Sequence, residues 1–555
     1  MSVLFSNRSE NLKTLLDQFA AGTIQIPEIQ RDVVWDIDRV KDFMDTVYSG
    51  FPCGSFVFWK PSIKNEDVFE LVRPERIVNS KKPEFLIVDG QQRLTALVHA
   101  LLGPDVLRKI APEYVEDFER DNDVLPFLLL DISKLPQMQL IASDEAPSSE
   151  KALRVPLFKI FDQTYSTEKI SLSDKQKTEI REFRDKIVGY PVTVQEIGSQ
   201  AEYETVAEIF YRINSQGMPL TNAEIHLAQI VPHWRGITKE FRQFLNKTRD
   251  DFGFDFDLSL IMKCLAAQFP NAPDIKRMTA AIKKKGITTL ELQKAWQKTC
   301  LAIGKAINLL REEHVHSTRY CTSMNVFVPI VAYLSLCEKP VKKEILKFFF
   351  LAQLGSHFET QSDRTLKQDI KRLKEDDCAN GLKEINKSLE GETRSNYRKL
   401  RIHQTEFSRR PTRNPLMSVY YAILLEREAC DLVADKKRLI KNLKHSELHL
   451  HHIFPRNLFA KKNIVVPGFE TRSELMDAVN SIANLTIIAR DTNSCLNATE
   501  PASYLTDLIR ENLKQHFIPP DPKLWKLDRF HEFLEARKDL LSAALTKALA
   551  KFVSY

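Results

Sequence analysis

Short apolar runs alternate with amphipathic segments along the first two hundred or so residues. The runs at 56–59 (FVFW), 85–88 (FLIV) and 125–131 (LPFLLLD) are bounded by Gly, Pro or charged residues, a pattern typical of buried strands. Segments 38–48 and 92–102 carry apolar residues at helical spacing instead. The opening third is therefore predicted to be α/β or α+β.

From about residue 221 to about 400 the pattern is helical almost throughout. Ala, Leu, Lys and Glu recur at intervals of three and four residues, with few strand signals, which predicts a helical middle region. The most apolar stretches here, 324–337 and 345–354, are shorter than the roughly 20 residues that a membrane span needs. We predict that both are core helices.

A third region begins near Arg401 with a basic segment that is poor in apolar residues. It continues with a predicted helix at 416–428, a histidine-rich strand at 447–454, an apolar strand at 485–489 and a helical tail. The predicted order around the histidines is strand, insertion, strand, helix.

Composition changes this picture little. A length of 555 residues predicts about two to four domains of roughly 100 to 200 residues each, which we place at 1–225, 226–400 and 401–555. The expected fold class is α+β, mostly helical. The net charge of +6, from 80 basic and 74 acidic residues, permits a nucleic-acid partner without requiring one.

Cysteine usage and the N-terminal segment bear on the compartment. The eight cysteines form no CxxC pair and lie in apolar or mixed surroundings, which indicates reduced, buried thiols. The opening segment, MSVLFSNRSENLKTLLDQF, carries charges throughout and lacks the apolar stretch of about 7 to 15 residues that a signal peptide needs. We expect a cytoplasmic protein that does not enter a membrane.

The segment SELHLHHIFP, at 446–455, places three imidazoles within four positions. In a strand, His449 and His451 share one face and His452 points to the other. Two adjacent histidines that face oppositely can divide labour, one binding a divalent metal and the other taking a proton from water. A structural role for all three is the alternative. Carbonyl oxygens for the metal shell are available on the asparagines that follow, Asn480, Asn484, Asn493 and Asn497.

The series HHIFP followed by SIANLTIIARDTN resembles the HNH, or His-Me finger, nucleases, in particular the C-terminal (DUF1524-type) domain of GmrSD-type restriction proteins. The resemblance covers roughly the last 150 residues and implies a ββα-metal fold. It implies that His452 is the general base, that His451 and Asn493 bind Mg²⁺, Mn²⁺ or another divalent metal, and that Asn484 braces the loop between the strands. About thirty residues separate the two pieces, more than in compact fingers, so Asn497 remains an alternative to Asn493.

Two further motifs lie in the opening third, IPEIQRDVVW at 26–35 and IVDGQQRLT at 87–95. A strand, an Asp-Gly turn and a helix start present backbone N–H groups that favour a phosphate. Arg31 and Arg93 can clamp phosphate oxygens, and Asp89 can hold a metal or polarise water. A plain connecting turn is the alternative interpretation.

Together with the segment IFYRINSQGMPL at 209–220, these motifs resemble the DUF262-type, ParB/sulfiredoxin-like domain over residues from about 10 to 230. The resemblance implies binding and hydrolysis of an NTP (ATP, GTP, UTP or CTP) that governs the nuclease. Because the sequence has no GxxxxGK[ST] loop, the phosphates would bind at the DGQQR turn. The candidate pocket residues are Gln30, Arg31, Asp89, Gln91, Gln92, Arg93, Arg212 and Asn214.

The two resemblances together imply an NTP-regulated, metal-dependent endonuclease of anti-phage defence, of the type IV restriction kind. Its substrate would be double-stranded phage DNA with hydroxymethylated or glucosylated cytosine. A phosphorothioate-sensing NTPase-nickase and a non-cleaving, nucleotide-switched DNA-binding module are the alternatives. A homodimer would supply one finger for each strand. Basic residues ahead of the histidines are expected to face DNA, namely Arg401, Arg409, Arg410, Arg413, Lys436, Lys437, Arg438, Lys441 and Lys444.

Overall fold

The architecture is that of a computed structural model, which describes most of the chain. The described residues are 5–30, 33–62, 72, 83–121, 125–146, 153–162, 172–214, 220–269, 271, 274–375, 378–396, 414–432, 438–460, 465–497, 499–506, 508 and 510–553. Internal contacts divide the chain into two compact units, Met1–Glu240 and Phe241–Tyr555.

The first unit is mixed α/β. Its strands are β1 (Phe5–Asn11), β2 (Ile24–Gln25), β3 (Ser55–Trp59), β4 (Phe85–Asp89), β5 (Leu128–Asp131), β6 (Leu140–Ala142), β7 (Arg154–Pro156) and β8 (Pro191–Ile197). Its helices are α1 (Leu12–Ala20), α2 (Ile37–Ser49), α3 (Gln91–Leu101), α4 (Pro104–Ile110), α5 (Pro112–Asp121), α6 (Leu157–Phe161), α7 (Asp174–Val188), α8 (Tyr203–Asn214) and α9 (Asn222–Ile230), and α10 (Ile237–Phe252) runs on into the second unit.

A mixed five-stranded sheet forms the centre of this unit, in the order β1-β8-β3-β4-β2 among the described residues. β3 runs antiparallel to β4 and parallel to β8. The strands β3 and β4 are apolar on both faces and buried on both, as central strands covered by helices are. A second sheet, β6-β5-β7, is antiparallel.

The predicted strands in this unit are present, with one difference of boundary. The run at 125–131 becomes a strand only from Leu128. Pro126 lacks the N–H that a ladder needs, and its carbonyl oxygen lies 2.8 Å from His99 Nε2 instead. The cis peptide between Leu135 and Pro136 lies in the connection that follows β5.

The second unit opens with helices. They are α11 (Leu258–Ala266), α12 (Ile275–Lys283), α13 (Thr289–Glu312), α14 (Phe327–Leu336), α15 (Lys342–Leu354), α16 (Ser362–Glu375), α17 (Cys378–Asn396) and α18 (Leu416–Glu426). In the described residues from 220 to 396 every regular element is helical, as predicted. The apolar stretch 324–337 contains α14 and the stretch 345–354 lies within α15, and both are buried core helices, as predicted.

The C-terminal part of this unit is built around two antiparallel strands. Its elements are β9 (Leu448–His452), α19 (Arg472–Val479), β10 (Leu485–Ala489), α20 (Arg490–Leu496), α21 (Pro501–Tyr504), α22 (Arg510–Gln515) and α23 (Phe530–Val553). The order strand, insertion, strand, helix is therefore observed. The contacts place the helical region and these strands in one unit. The division of this unit into two domains near residue 400 therefore stays a prediction.

The structure bears on the predictions about the cysteines and about membrane spans. All eight cysteines are free thiols, as predicted, but their expected burial is wrong for Cys495, which is exposed on the short helix α20, and only Cys264 is fully buried. Within the described residues, no helix is both long and apolar enough to cross a membrane.

Candidate active site and nucleotide-binding motifs

The strand pair β9–β10 positions the histidines. Its register places Thr486 opposite His451 and Leu485 opposite His452. The apolar residues of β10 are fully buried, so the pair is anchored in the core and the alternating histidines of β9 point to its two sides. Pairing with the buried β10 therefore fixes the opposite directions of His451 and His452.

His451 is almost fully buried, and its neighbours determine its tautomer. Tyr504 Oη donates its proton to the carbonyl oxygen of Ile453 at 2.8 Å. The Tyr504 hydroxyl oxygen can therefore only accept a hydrogen bond from His451 Nε2, which lies 3.2 Å away. Burial lowers the pKa of His451 to about 4, and the ring is neutral at pH 7. The single ring proton is therefore on Nε2, and Nδ1 keeps its lone pair.

That lone pair faces Asn493, on helix α20. The distance from His451 Nδ1 to Asn493 Oδ1 is 2.9 Å. Two acceptors at this distance repel unless the amide turns over to donate, or a cation lies between them. Adjacent ligands of an octahedral cation with bonds of about 2.1 Å lie about 3 Å apart.

The donor set therefore fits a divalent cation that takes one imidazole nitrogen and one amide oxygen from the protein. The part of the chain that the structure describes has no cluster of three or more His, Cys, Asp or Glu that could hold a metal ion. The remaining ligands at His451 and Asn493 would therefore be water and substrate oxygens. Asn497, the predicted alternative, instead ends helix α20 with a φ of 39°.

His452, on the other side of β9, is half-buried, and its Nε2 also faces an oxygen, that of the Asn480 amide. Asn480 donates its Nδ2 to the carbonyl oxygen of Met476 at 2.8 Å, so its Oδ1 accepts from His452 Nε2 at 3.2 Å. Burial lowers the pKa of His452 below its ordinary value. A neutral ring with its proton on Nε2 has an unprotonated Nδ1, the form that a general base requires.

Asn484 is fully buried and ties the end of β9 to the start of β10. Its Oδ1 accepts from Phe454 N at 2.9 Å, and its Nδ2 donates to the carbonyl oxygens of Phe454 and Val479. These hydrogen bonds are compatible with the bracing role that the sequence resemblance implies for Asn484, and that role stays a prediction. Its contribution to catalysis stays a prediction.

Two residues fix helix α20, and with it Asn493: Asp431, which sequence reasoning missed, and Arg438, which was predicted to face DNA. Asp431 is buried and accepts from Ala489 N and Thr492 Oγ1 at the start of α20. Arg438 pairs with Asp491 in the first turn, at 2.9 Å, and also with Glu447 ahead of β9. No motif in the sequence marks Asp431, because its partners Ala489 and Thr492 lie 58 and 61 residues away along the chain.

The expected DNA-facing basic cluster is only partly described. Arg401, Arg409, Arg410, Arg413, Lys436 and Lys437 lie outside the described residues. Arg438 is paired as above, and Lys441 pairs with Glu428. Carboxylates thus neutralise two of the described members, while Lys444 caps a short turn through its backbone N–H to Glu447.

In the first unit the two polar motifs are hydrogen-bonded to each other. Gln30 Nε2 donates to the carbonyl oxygens of Ile87 and Val88, at 2.9 and 2.7 Å. Val34 N donates to Gln92 Oε1 at 2.9 Å. The segments 26–35 and 87–95 therefore meet at the end of β4. The amide nitrogen of Gln30 is hydrogen-bonded to the backbone of β4.

Asp89 and Arg93 form an ion pair at this turn. Arg93 Nη2 lies 2.9 Å from Asp89 Oδ2, and the same guanidinium donates to the carbonyl oxygens of Cys53 and Ser55. A side chain at Gly90, whose φ is +95°, would collide with the Phe56 ring at 2.6 Å. The turn is thus tightly built, and Arg93 is held by β3 rather than extended toward solvent.

The remaining candidates are placed differently. Gln91 is buried at the start of α3. Arg212 pairs with Glu208, and Asn214 donates to the carbonyl oxygen of Phe210, so both use contacts inside α8. Helix α8 packs against β4. Arg31 and residues 215–219 of the segment 209–220 lie outside the described residues.

Glu28 is a further residue that the motif contains and sequence reasoning did not assign. It is 4% exposed and accepts from Gly236 N, Thr238 N and Thr238 Oγ1. A buried carboxylate at the start of a helix satisfies its free N–H groups and the helix dipole. Glu28 therefore anchors the start of α10.

Two comparisons with known proteins bear on identity. Residues 12–231 match the family described as GmrSD restriction endonuclease, N-terminal domain. An uncharacterized protein of Methanocaldococcus jannaschii is 20% identical, over 97% of this chain and 98% of that protein. The resemblance predicted for the opening 230 residues is thereby confirmed, and the His-Me finger resemblance of the C-terminal part stays a prediction. Residues 12–231 are therefore similar to the N-terminal domain of GmrSD restriction endonucleases.

Proposed function

We propose that the protein is an NTP-regulated, divalent-metal-dependent endonuclease of anti-phage defence that cleaves DNA with hydroxymethylated or glucosylated cytosine. The observation that carries the proposal is that each of the two histidines on β9 has its Nε2 3.2 Å from an oxygen, Tyr504 Oη or Asn480 Oδ1. A ring proton on Nε2 satisfies that oxygen and leaves the lone pair on Nδ1. One lone pair is suited to a metal ligand and the other to a base.

In the proposed reaction, His452 Nδ1 takes a proton from a water molecule while the oxygen of that water attacks the phosphorus of the DNA phosphodiester. The bond from phosphorus to the leaving sugar oxygen breaks, and that oxygen is protonated from solvent. A divalent cation at His451 and Asn493, when bound, would neutralise charge on the phosphate oxygens. Asn480 holds the His452 ring in place through the proton on Nε2.

The first test is substitution of the base. His452→Ala is expected to lower the cleavage rate of hydroxymethylated plasmid DNA about 10²- to 10⁴-fold, since general-base catalysis contributes that much. The matched control is His531→Ala, because His531 packs its ring on Phe469 and has no part in the proposed chemistry. Cleavage by His452→Ala at the wild-type rate would show that the base is another group.

For the nucleotide, we propose that the phosphates bind at the turn from β4 to α3, with Asp89, Gln92 and Arg93 nearest. The support is the contact between the two motifs there and the family match. Asp89→Asn is expected to lower NTP hydrolysis by at least about tenfold, because Asp89 is the acidic group at this turn. Asp105→Asn, which alters another Asp–Arg pair, should leave hydrolysis unchanged. Equal effects of the two substitutions would contradict this location.

A further inference from the structure

Tyr504 lies beside the proposed metal site without being one of its ligands. It ends the short helix α21 and is 8% exposed. Its hydroxyl bridges the carbonyl oxygen of Ile453 and the Nε2 of His451. Its ring also meets the His451 ring edge-on, with centroids 5.9 Å apart.

The hydroxyl and Asn493 Oδ1 are the polar contacts of the two ring nitrogens of His451. With the hydroxyl proton given to Ile453, Tyr504 offers only an acceptor to His451. Without that acceptor, the ring proton would gain a partner by moving to Nδ1, where it could donate to Asn493 Oδ1, 2.9 Å away. In that tautomer Nδ1 has no lone pair for a cation.

We propose that Tyr504 is a positioning residue that keeps His451 in the tautomer able to bind a divalent cation. This inference rests on the proposed function, because it concerns the same metal site. Outer partners that fix the tautomer of a metal-binding histidine typically change metal affinity about 10- to 100-fold when they are removed.

The test is Mn²⁺ binding by the full-length protein without DNA, followed by electron paramagnetic resonance. Tyr504→Phe is expected to weaken Mn²⁺ binding about 10- to 100-fold, and His451→Ala to remove it. The matched control is Tyr333→Phe, which also deletes a buried hydroxyl, one that accepts from Val341 N. It should bind Mn²⁺ like the wild type.

The outcomes separate this inference from the function on which it rests. If the wild type has no Mn²⁺ site that His451→Ala removes, both the metal-dependent function and the role of Tyr504 are wrong. If the wild type has such a site and Tyr504→Phe binds Mn²⁺ equally well, only the role of Tyr504 is wrong.

A second measurement does not depend on the folding of the Tyr504 variant. Nitrogen NMR of histidine-labelled wild-type protein, with the His451 signals identified by their loss in His451→Gln, reports which ring nitrogen carries the proton. We expect the proton on Nε2 in the metal-free protein. A proton on Nδ1 would overturn the inference.

Discussion

The chemistry of a histidine depends on which ring nitrogen carries the proton, and this depends on the groups that the two nitrogens contact. His451 and His452 donate from Nε2 to Tyr504 and Asn480. The histidines themselves were predictable from the series HHIFP, but their partners lie 53 and 28 residues away along the chain. No spacing rule connects residues whose proximity depends on the packing of separate elements.

His99 gives a prediction at the same scale. It is buried in α3 and bonded to the carbonyl oxygen of Pro126, and burial lowers its pKa to about 4. Because the unfolded chain binds the proton more tightly, the contribution of His99 to stability is present above pH 6.5 and is lost as the pH falls toward 4. Between pH 7 and pH 5 this amounts to about 2 kcal/mol.

His99→Gln, whose amide can still donate to Pro126, should therefore remove part of the acid sensitivity of α3. The measurement is the opening free energy of peptides covering 91–101, by hydrogen-exchange mass spectrometry at pH 7 and pH 5, corrected for intrinsic exchange. An equal loss of protection in wild type and variant would contradict the assignment.

Elements in the second unit are held together by buried polar side chains as well as by the apolar core. Arg537, on α23, is fully buried and has only main-chain carbonyls and the Tyr420 hydroxyl as described partners. Two of those carbonyls belong to Ala483 and Leu485, on either side of Asn484. Through Arg537, helix α23 thus holds the backbone at the start of β10 in place.

Arg537→Met should destabilise the second unit by about 3 kcal/mol or more, because several buried carbonyls lose a charged donor at once. Arg529→Met removes an exposed pair with Glu532 and should cost at most about 1 kcal/mol. Chemical unfolding of the two variants, followed by circular dichroism, compares them. Similar midpoints for both would mean that Arg537 does not support β10.

Most elements could be predicted from apolar pattern, and the errors have local causes. β10 follows the run LTIIA at both ends, and α14 and α15 follow the two most apolar stretches. The strand predicted from residue 125 begins late because of Pro126. Arg93 was predicted from its motif to clamp phosphate. The motif does not reveal that Arg93 donates to the carbonyl oxygens of Cys53, just before β3, and of Ser55, at its start.

At the scale of the whole molecule, the chain carries two candidate sites, one in each compact unit. The first unit contains the turn with Asp89 and Arg93, and the second contains the β9 histidines. The match to the N-terminal domain of GmrSD restriction endonucleases, at residues 12–231, lies in the first unit. Control of DNA cleavage by nucleotide is therefore the claim that joins the two units.

One cleavage panel tests that claim most directly. Unmodified, hydroxymethylated, glucosylated and phosphorothioated DNA are each incubated with the full-length protein and Mg²⁺, with and without each NTP, beside His452→Ala. We predict fragments only from hydroxymethylated or glucosylated DNA, with a yield that changes when an NTP is present, and none with His452→Ala. Nicking of phosphorothioated DNA alone, equal cutting with and without every NTP, or no cutting of any substrate would contradict the account.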